Sequence, residues 1–199
     1  MKSPIRAAVL AVLVVATCKA QTNTVSSTST VSATNTFSRA GKWEAYGVVQ
    51  AETIFNVFDS DANLFGGGFG VGYNFGEHFT LSGEFSFSSA QFHTEGLFEV
   101  PEDRDTTLYI GRVYADYNIL KYPVTPVLSG GLGVGGFSDG SGVALDQTIG
   151  VGVRWDANDR LVFKSMLRAG IIETTSRPDN EDADAWACLA ISVSVGYKF

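Results

Sequence analysis

The sequence predicts an all-β protein, a closed eight-stranded antiparallel up-and-down transmembrane β-barrel. Three observations lead there. From Lys42 onward the chain divides into eight segments that alternate apolar with small or polar residues. The connections between these segments are alternately long and short. One face of each segment is aromatic and aliphatic, and the other is glycine, serine and scattered charge. Period two is the repeat of a strand whose two faces meet unlike surroundings. No segment beyond the first twenty residues has helical period or the length of a membrane helix.

The segments are KWEAYGVVQAETIF, NLFGGGFGVGYNF, HFTLSGEFSFSSA, TTLYIGRVYADYNIL, VTPVLSGGLGVGGF, QTIGVGVRW, LVFKSMLRAGIIE and AWACLAISVSVGYKF. Each is rich in β-branched and aromatic residues, which suit a pleated surface. The short joins lie near Gly76, near Tyr122 and at Asp156–Arg160. The long ones are NVFDSDA, QFHTEGLFEVPEDRD, SDGSGVALD and TTSRPDNEDADA. Strict alternation puts all long loops at one end of the sheet and all short turns at the other. An even number of antiparallel strands with that asymmetry is the layout of an outer-membrane barrel.

Parity separates the faces. In the third segment Phe79, Leu81, Phe85 and Phe87 oppose Thr80, Ser82, Glu84, Ser86 and Ser88. In the second, Phe65, Phe69, Val71, Tyr73 and Phe75 oppose Gly66, Gly68, Gly70, Gly72 and Asn74. A sandwich or lipocalin-like protein shows the same alternation, with core aromatics on its apolar face. The small residues of the polar face fit the narrow interior of eight strands instead. The apolar faces end in two aromatic girdles, as lipid-facing barrels do. One holds Trp43, Tyr73, Phe75, Phe79, Tyr117, Trp155, Tyr197 and Phe199; the other holds Phe55, Phe65, Phe87, Tyr109 and Phe137.

The chain begins MKSPIRAAVLAVLVVATCKAQ, with Lys2 and Arg6 before an apolar run and small residues at Cys18 and Ala20. This reads as a secretory signal over residues 1–20. A rival reading makes Cys18 a lipidated residue, which Thr17 beside it fits poorly. Residues 21–41 are rich in Ser and Thr and read as a disordered arm, and 42–199 as the barrel. Removing Lys2, Arg6 and Lys19 leaves 11 of the 14 basic residues against 21 acidic ones, a net charge near −10. So acidic an exported chain is a poor nucleic-acid binder. Cys188 is the single cysteine after cleavage, so no internal disulfide forms.

The chain resembles the small eight-stranded outer-membrane barrels, the OmpA-, OmpX- and opacity-protein-like family, over residues 42–199. The ending VSVGYKF carries the resemblance most specifically. Val193, Val195, Tyr197 and Phe199 look like the C-terminal signal such proteins present to the outer-membrane assembly machinery. The join GYNFGEHFTLSGEFSF also looks like the connection between the second and third strands in this family. OmpA-like proteins continue into a peptidoglycan-binding domain, for which this sequence has no counterpart after Phe199. The resemblance implies an outer-membrane location amid lipid and lipopolysaccharide. It also implies the barrel-assembly machinery and periplasmic chaperones as partners, a monomer, and no cofactor or metal.

Inward parity collects Glu44, Glu52, Glu84, Arg112, Asp116, Arg154, Asp156, Lys164, Arg168 and Lys198 in one small lumen. Charges so placed should pair, because an unpaired buried charge is costly. Glu52 and Glu84 are expected to meet Arg112, Arg154, Lys164 or Arg168. The favoured reading is a side-chain plug, with a structural and surface-interacting role for the protein. The first alternative is a narrow porin-like channel for small solutes. The second is a lipid-modifying enzyme using His93, at the start of the longest loop, near Ser88, Ser89 and Glu95. His78 falls in a short turn. The run GLGVGG at Gly131–Gly136 matches a dinucleotide-binding pattern but precedes a strand rather than a helix, so lumen packing explains it better. Acidic loops around Glu95, Glu99, Glu102, Asp103 and Asp105, and around Asp179, Glu181, Asp182 and Asp184, match no calcium-loop spacing.

Overall fold

The computed structural model describes residues 37–55, 60–94, 104–138, 142–175 and 184–199. The strands are β1 (Trp43–Phe55), β2 (Ser60–Asn74), β3 (Phe79–Thr94), β4 (Arg104–Asn118), β5 (Val124–Phe137), β6 (Val143–Asp156), β7 (Leu161–Thr175) and β8 (Asp184–Lys198). Each pairs antiparallel with the next, and β1 closes against β8 with Glu44 opposite Lys198 and Val48 opposite Ser194. The result is a closed eight-stranded barrel without an edge, so every strand has its ladder filled on both sides. Among the described residues no helix is long and apolar enough to cross a membrane.

Burial alternates along each strand and inverts the usual soluble arrangement. Val49, Phe69, Phe85, Val113, Leu132, Val151, Leu167 and Val193, one from each strand, all stand exposed on the outer wall. Ile149 is 73 % exposed and Phe65 67 %. An apolar surface running around the whole circumference far exceeds what a soluble monomer leaves in water. Lipid is the solvent that matches it. At the short-turn rim, rings interlock: Trp43 lies 5.0 Å from Tyr73, Tyr73 4.8 Å from Phe75, and Trp155 5.2 Å from Phe163, between centroids. Phe137 departs from the girdle expected for it. It has inward parity and packs against the buried cluster at the long-loop end.

Several strands run further than period two alone suggested. Arg104, Asp105, Asp146 and Asp184 were expected in loops and belong to strands, as does His93, whose backbone pairs with Asp61. The strands continue past the apolar band with polar residues, which hides the alternation. His78 stays in its turn, with Nδ1 2.7 Å from the Asn118 carbonyl oxygen and its ring stacked on Tyr117.

Glycine occurs where a large inward side chain lies across the neighbouring strand. Tyr114 on β4 faces Gly131 on β5, and a Cβ at 131 would run into its ring. Gly130, next to it, points outward, and a Cβ there meets nothing within 4 Å. Gly131→Val should therefore lower stability by about 1–3 kcal/mol, as overpacking does, while Gly130→Val should be tolerated. The fraction of heat-modifiable, folded band across a urea series measures both.

Candidate functional site: the charged lumen

Among the described residues twelve charged side chains are buried, all on inward faces or, for Arg39, inserted from the arm. Six are cationic (Arg39, Arg112, Arg154, Lys164, Arg168, Lys198) and six acidic (Glu44, Glu52, Glu84, Asp116, Asp146, Asp156). The formal charges cancel. They lie in layers along the barrel axis.

The floor, at the short-turn end, centres on Asp156. Its Oδ2 accepts from Arg39 Nη2 at 3.0 Å and from Arg154 Nε at 3.1 Å, and its Oδ1 accepts from Lys198 Nζ at 2.8 Å. Arg154 also crosses the lumen to donate from Nη2 to Glu44 Oε2 at 2.8 Å. Arg39 reaches in from the arm and is fully buried. Its Nη1 donates to the backbone oxygens of Glu77 (2.8 Å) and Leu120 (3.2 Å), and its Nη2 to that of Tyr122 (2.8 Å). One guanidinium thus joins two short turns and the end of β6. The Phe37 ring lies 5.0 Å from the Arg39 guanidinium carbon and 5.4 Å from Lys198 Nζ. Outside, the Glu77 carboxylate accepts from Ser38 Oγ and from the Arg39 amide. Partial burial alone would raise the Glu77 carboxyl. Hydrogen bonds from Ser38 and from the Arg39 and Ala40 amides outweigh it and hold the group below the usual carboxylate range. Residues 37–41 are therefore part of the folded body, unlike the loose arm expected through residue 41. The local reason is Arg39, which has acceptors waiting on the turns.

In the middle layer Lys164 reaches from β7 to Asp116 on β4 (2.6 Å), and Ser129 Oγ donates to the other oxygen of Asp116 (2.6 Å). The Arg168 guanidinium sits 4.3 Å over the Tyr114 ring and donates to Ser192 Oγ at 2.8 Å. Glu84 is buried, and its Oε1 has no hydrogen-bond partner; the same holds for Arg168 Nε and Thr148 Oγ1. The upper layer belongs to Arg112. It pairs with Asp146 through Nε and with Glu52 through Nη2 at 3.7 Å, and donates to Ser86 Oγ at 2.9 Å. Arg112 and Asp146 flank Gly133 in register, and a Cβ at 133 would come within 2.8 Å of Arg112 Cγ. Glycine at 133 is what lets the guanidinium pass over β5. Above this layer the lumen turns apolar, with Ile54, Leu64, Leu108, Ile110, Ala144, Ile172 and Cys188 forming a cap.

Of the expected pairings, Glu52 meets Arg112. Glu84 is opposite Arg112 in register, yet that side chain turns towards Asp146 and Glu52 instead. Arg154 turns to Glu44 and Asp156, and Lys164 to Asp116. Sequence reasoning missed Asp146, Arg39 and the apolar cap. Asp146 was legible in principle: Val143 and Leu145 alternate outward with Ala144 and Asp146 inward. No sequence period signals Arg39. Trp43, Phe75, Tyr117, Trp155, Tyr197 and Phe199 are exposed on the outer wall, as are Val193 and Val195, and Tyr73 is half-buried among the rim rings. No cluster of His, Cys, Asp and Glu among the described residues is placed to hold a metal ion. The acids at Glu95, Glu99, Glu102, Asp103, Asp179, Glu181 and Asp182, and the signal region with Cys18, lie outside the described residues.

A lipid-matched outer wall around an interior of buried, largely paired charge defines a transmembrane β-barrel. A protein-family model described as "Outer membrane protein beta-barrel domain" matches residues 8–199, and the chain belongs to that family. It is an outer-membrane protein. Among solved structures, the chain is similar to Neisserial surface protein A, at 16 % identity with a TM-score of 0.58, covering 80 % of this chain and 99 % of that one. It is also similar to OprG from Pseudomonas aeruginosa, at 12 % identity with a TM-score of 0.55, covering 81 % and 97 %. At such identities the likeness is one of fold. No curated protein matches the sequence.

Removing one member of the upper layer should be costly. Arg112→Ala leaves Asp146 and Glu52 buried without their cation, a change worth about 3–5 kcal/mol. The multiple variant Arg112→Met, Asp146→Leu, Glu52→Gln, which leaves neither carboxylate stranded, should recover much of that loss. Urea midpoints of the two variants in detergent, set against the parent, check both statements.

Proposed function

We propose that this barrel is a structural and surface-interacting element of the outer membrane, without catalysis and without bulk conduction. The observation that carries this reading is the lumen. Ion pairs span it from β1 to β6, from β1 to β4 and from β4 to β7, with Arg39 below and the apolar cap above. Eight strands leave room for little more than those side chains. What the protein does for the cell would then rest with its long loops, whose acids are read first as a solvated surface. One observation favours the narrow-channel reading instead: among the described residues, Glu84 and Arg168 sit mid-lumen without a direct counter-ion.

Planar-bilayer recording separates the two. The plugged reading expects no stable steps at large-porin level, and such steps would refute it. A small, steady conductance would favour the channel.

We further propose that Val193, Val195, Tyr197 and Phe199 serve as the assembly signal. In the finished barrel Phe199 is 66 % exposed, and its backbone exchanges hydrogen bonds with Trp43. Its ring contributes little to the interior. Deleting Phe199 should therefore slow insertion in cells while leaving the urea midpoint of the assembled barrel nearly unchanged. Normal insertion of the truncated chain would count against the signal.

A further inference from the structure

We propose that the floor of the barrel is a guanidinium receptor, occupied from within the chain by Arg39, and that vacating it opens the lower lumen to water from the short-turn side. The receptor is built without Arg39. Its acceptors are the backbone oxygens of Glu77, Leu120 and Tyr122 and the carboxylate of Asp156, all on turns or the barrel wall. They engage Nη1 twice and Nη2 twice, which is the planar fork that guanidinium presents and an ammonium cannot. Arg39 Nε is buried and takes no partner. The chain's own stem nitrogen is thus not part of the recognition, and a small guanidinium cation carries every group that is.

The charge balance points the same way. The wall alone supplies five buried cations (Arg112, Arg154, Lys164, Arg168, Lys198) against six buried carboxylates. Arg39 is the sixth cation, and it comes from the segment before β1 rather than from the barrel wall. Withdrawing it leaves the whole wall one negative charge in excess and the floor itself balanced, with Arg154 and Lys198 against Asp156 and Glu44, so what draws a replacement cation is the unfilled set of backbone acceptors beside Asp156. Above the floor, Glu84 Oε1 is buried without a hydrogen-bond partner, and Ser82 Oγ lies on the same strand beside the Tyr46 hydroxyl. The apolar cap closes the other end, so access to Ser82 runs through the floor.

The test uses the full chain with Ser82→Cys, labelled by a small cationic thiol reagent and read by mass spectrometry of the peptide holding residue 82. With Arg39 in place, labelling should be slow. Adding Arg39→Ala should speed it by roughly tenfold or more, the signature of a removed closure. Methylguanidinium chloride at millimolar concentration should return the rate towards the original, and tetramethylammonium chloride should not. Equal labelling with and without Arg39, or acceleration that methylguanidinium fails to suppress, overturns the proposal. Should Arg39→Ala not yield the heat-modifiable folded band, refolding becomes the readout. Methylguanidinium, but not tetramethylammonium, should then restore that band, and failure to restore it also overturns the proposal.

Discussion

The rest of this structure depends on charge neutrality inside a lumen no wider than the side chains that fill it. Twelve formal charges are sealed there with little access to water. In such surroundings a lone ion costs several kcal/mol, and a pair repays that only with good geometry and further hydrogen bonds. The layers meet this condition in different ways. Asp156 gathers three cations, Arg112 serves two carboxylates, and Lys164 and Asp116 pair across the lumen with Ser129 completing the acid. Even Arg154 and Lys164, neighbours in register and alike in charge, are reconciled because each turns to a different acid.

Neutrality in turn dictates where glycine must be. A guanidinium that pairs two strands away has to lie across the strand between. Gly133 provides that passage for Arg112, and Gly131 accommodates the ring of Tyr114, over which Arg168 stacks. Within the glycine-rich run 130–136, Gly131 and Gly133 are thus the imprint of long side chains on β4. This explains why a motif resembling a nucleotide-binding loop sits in the middle of a strand: glycine is selected for the same property, close approach, in a different setting.

The barrel was legible in the sequence because lipid and lumen impose opposite demands at every second residue. Wherever both demands act, from Trp43 to Thr53 or from Phe79 to Ser89, period two marks the strand. Where a strand rises beyond the apolar band, only one demand remains, and β4 reads as loop at Asp105; at Asp146 the alternation of Val143 and Leu145 with Ala144 persists, but the neighbouring Gly and Ser of the turn mask it. Phe137 was misplaced for a related reason. Near the long-loop end the lumen itself becomes apolar, so an aromatic residue no longer identifies the outer face. Arg39 obeys no period at all. Its role is set by acceptors contributed by Glu77, Leu120, Tyr122 and Asp156, which converge only when the turns meet.

The two ends of the lumen are closed by unlike chemistry, and this bears on where function can reside. The floor is ionic and carries three cations to two carboxylates, whereas the upper layer has one cation for two carboxylates. Formal charge therefore falls from floor to cap, and the middle layer, balanced in itself, lies between opposite excesses. In that middle layer Glu84 stands opposite Arg112 in register, and Arg168 lies over the Tyr114 ring and donates to Ser192 Oγ. The cap, by contrast, offers an ion nothing. Its apolar side chains end the run of charged layers at the long-loop end of the strands. A surface role at one end and an arginine-closed floor at the other can coexist in one barrel because the fold keeps their chemistries apart.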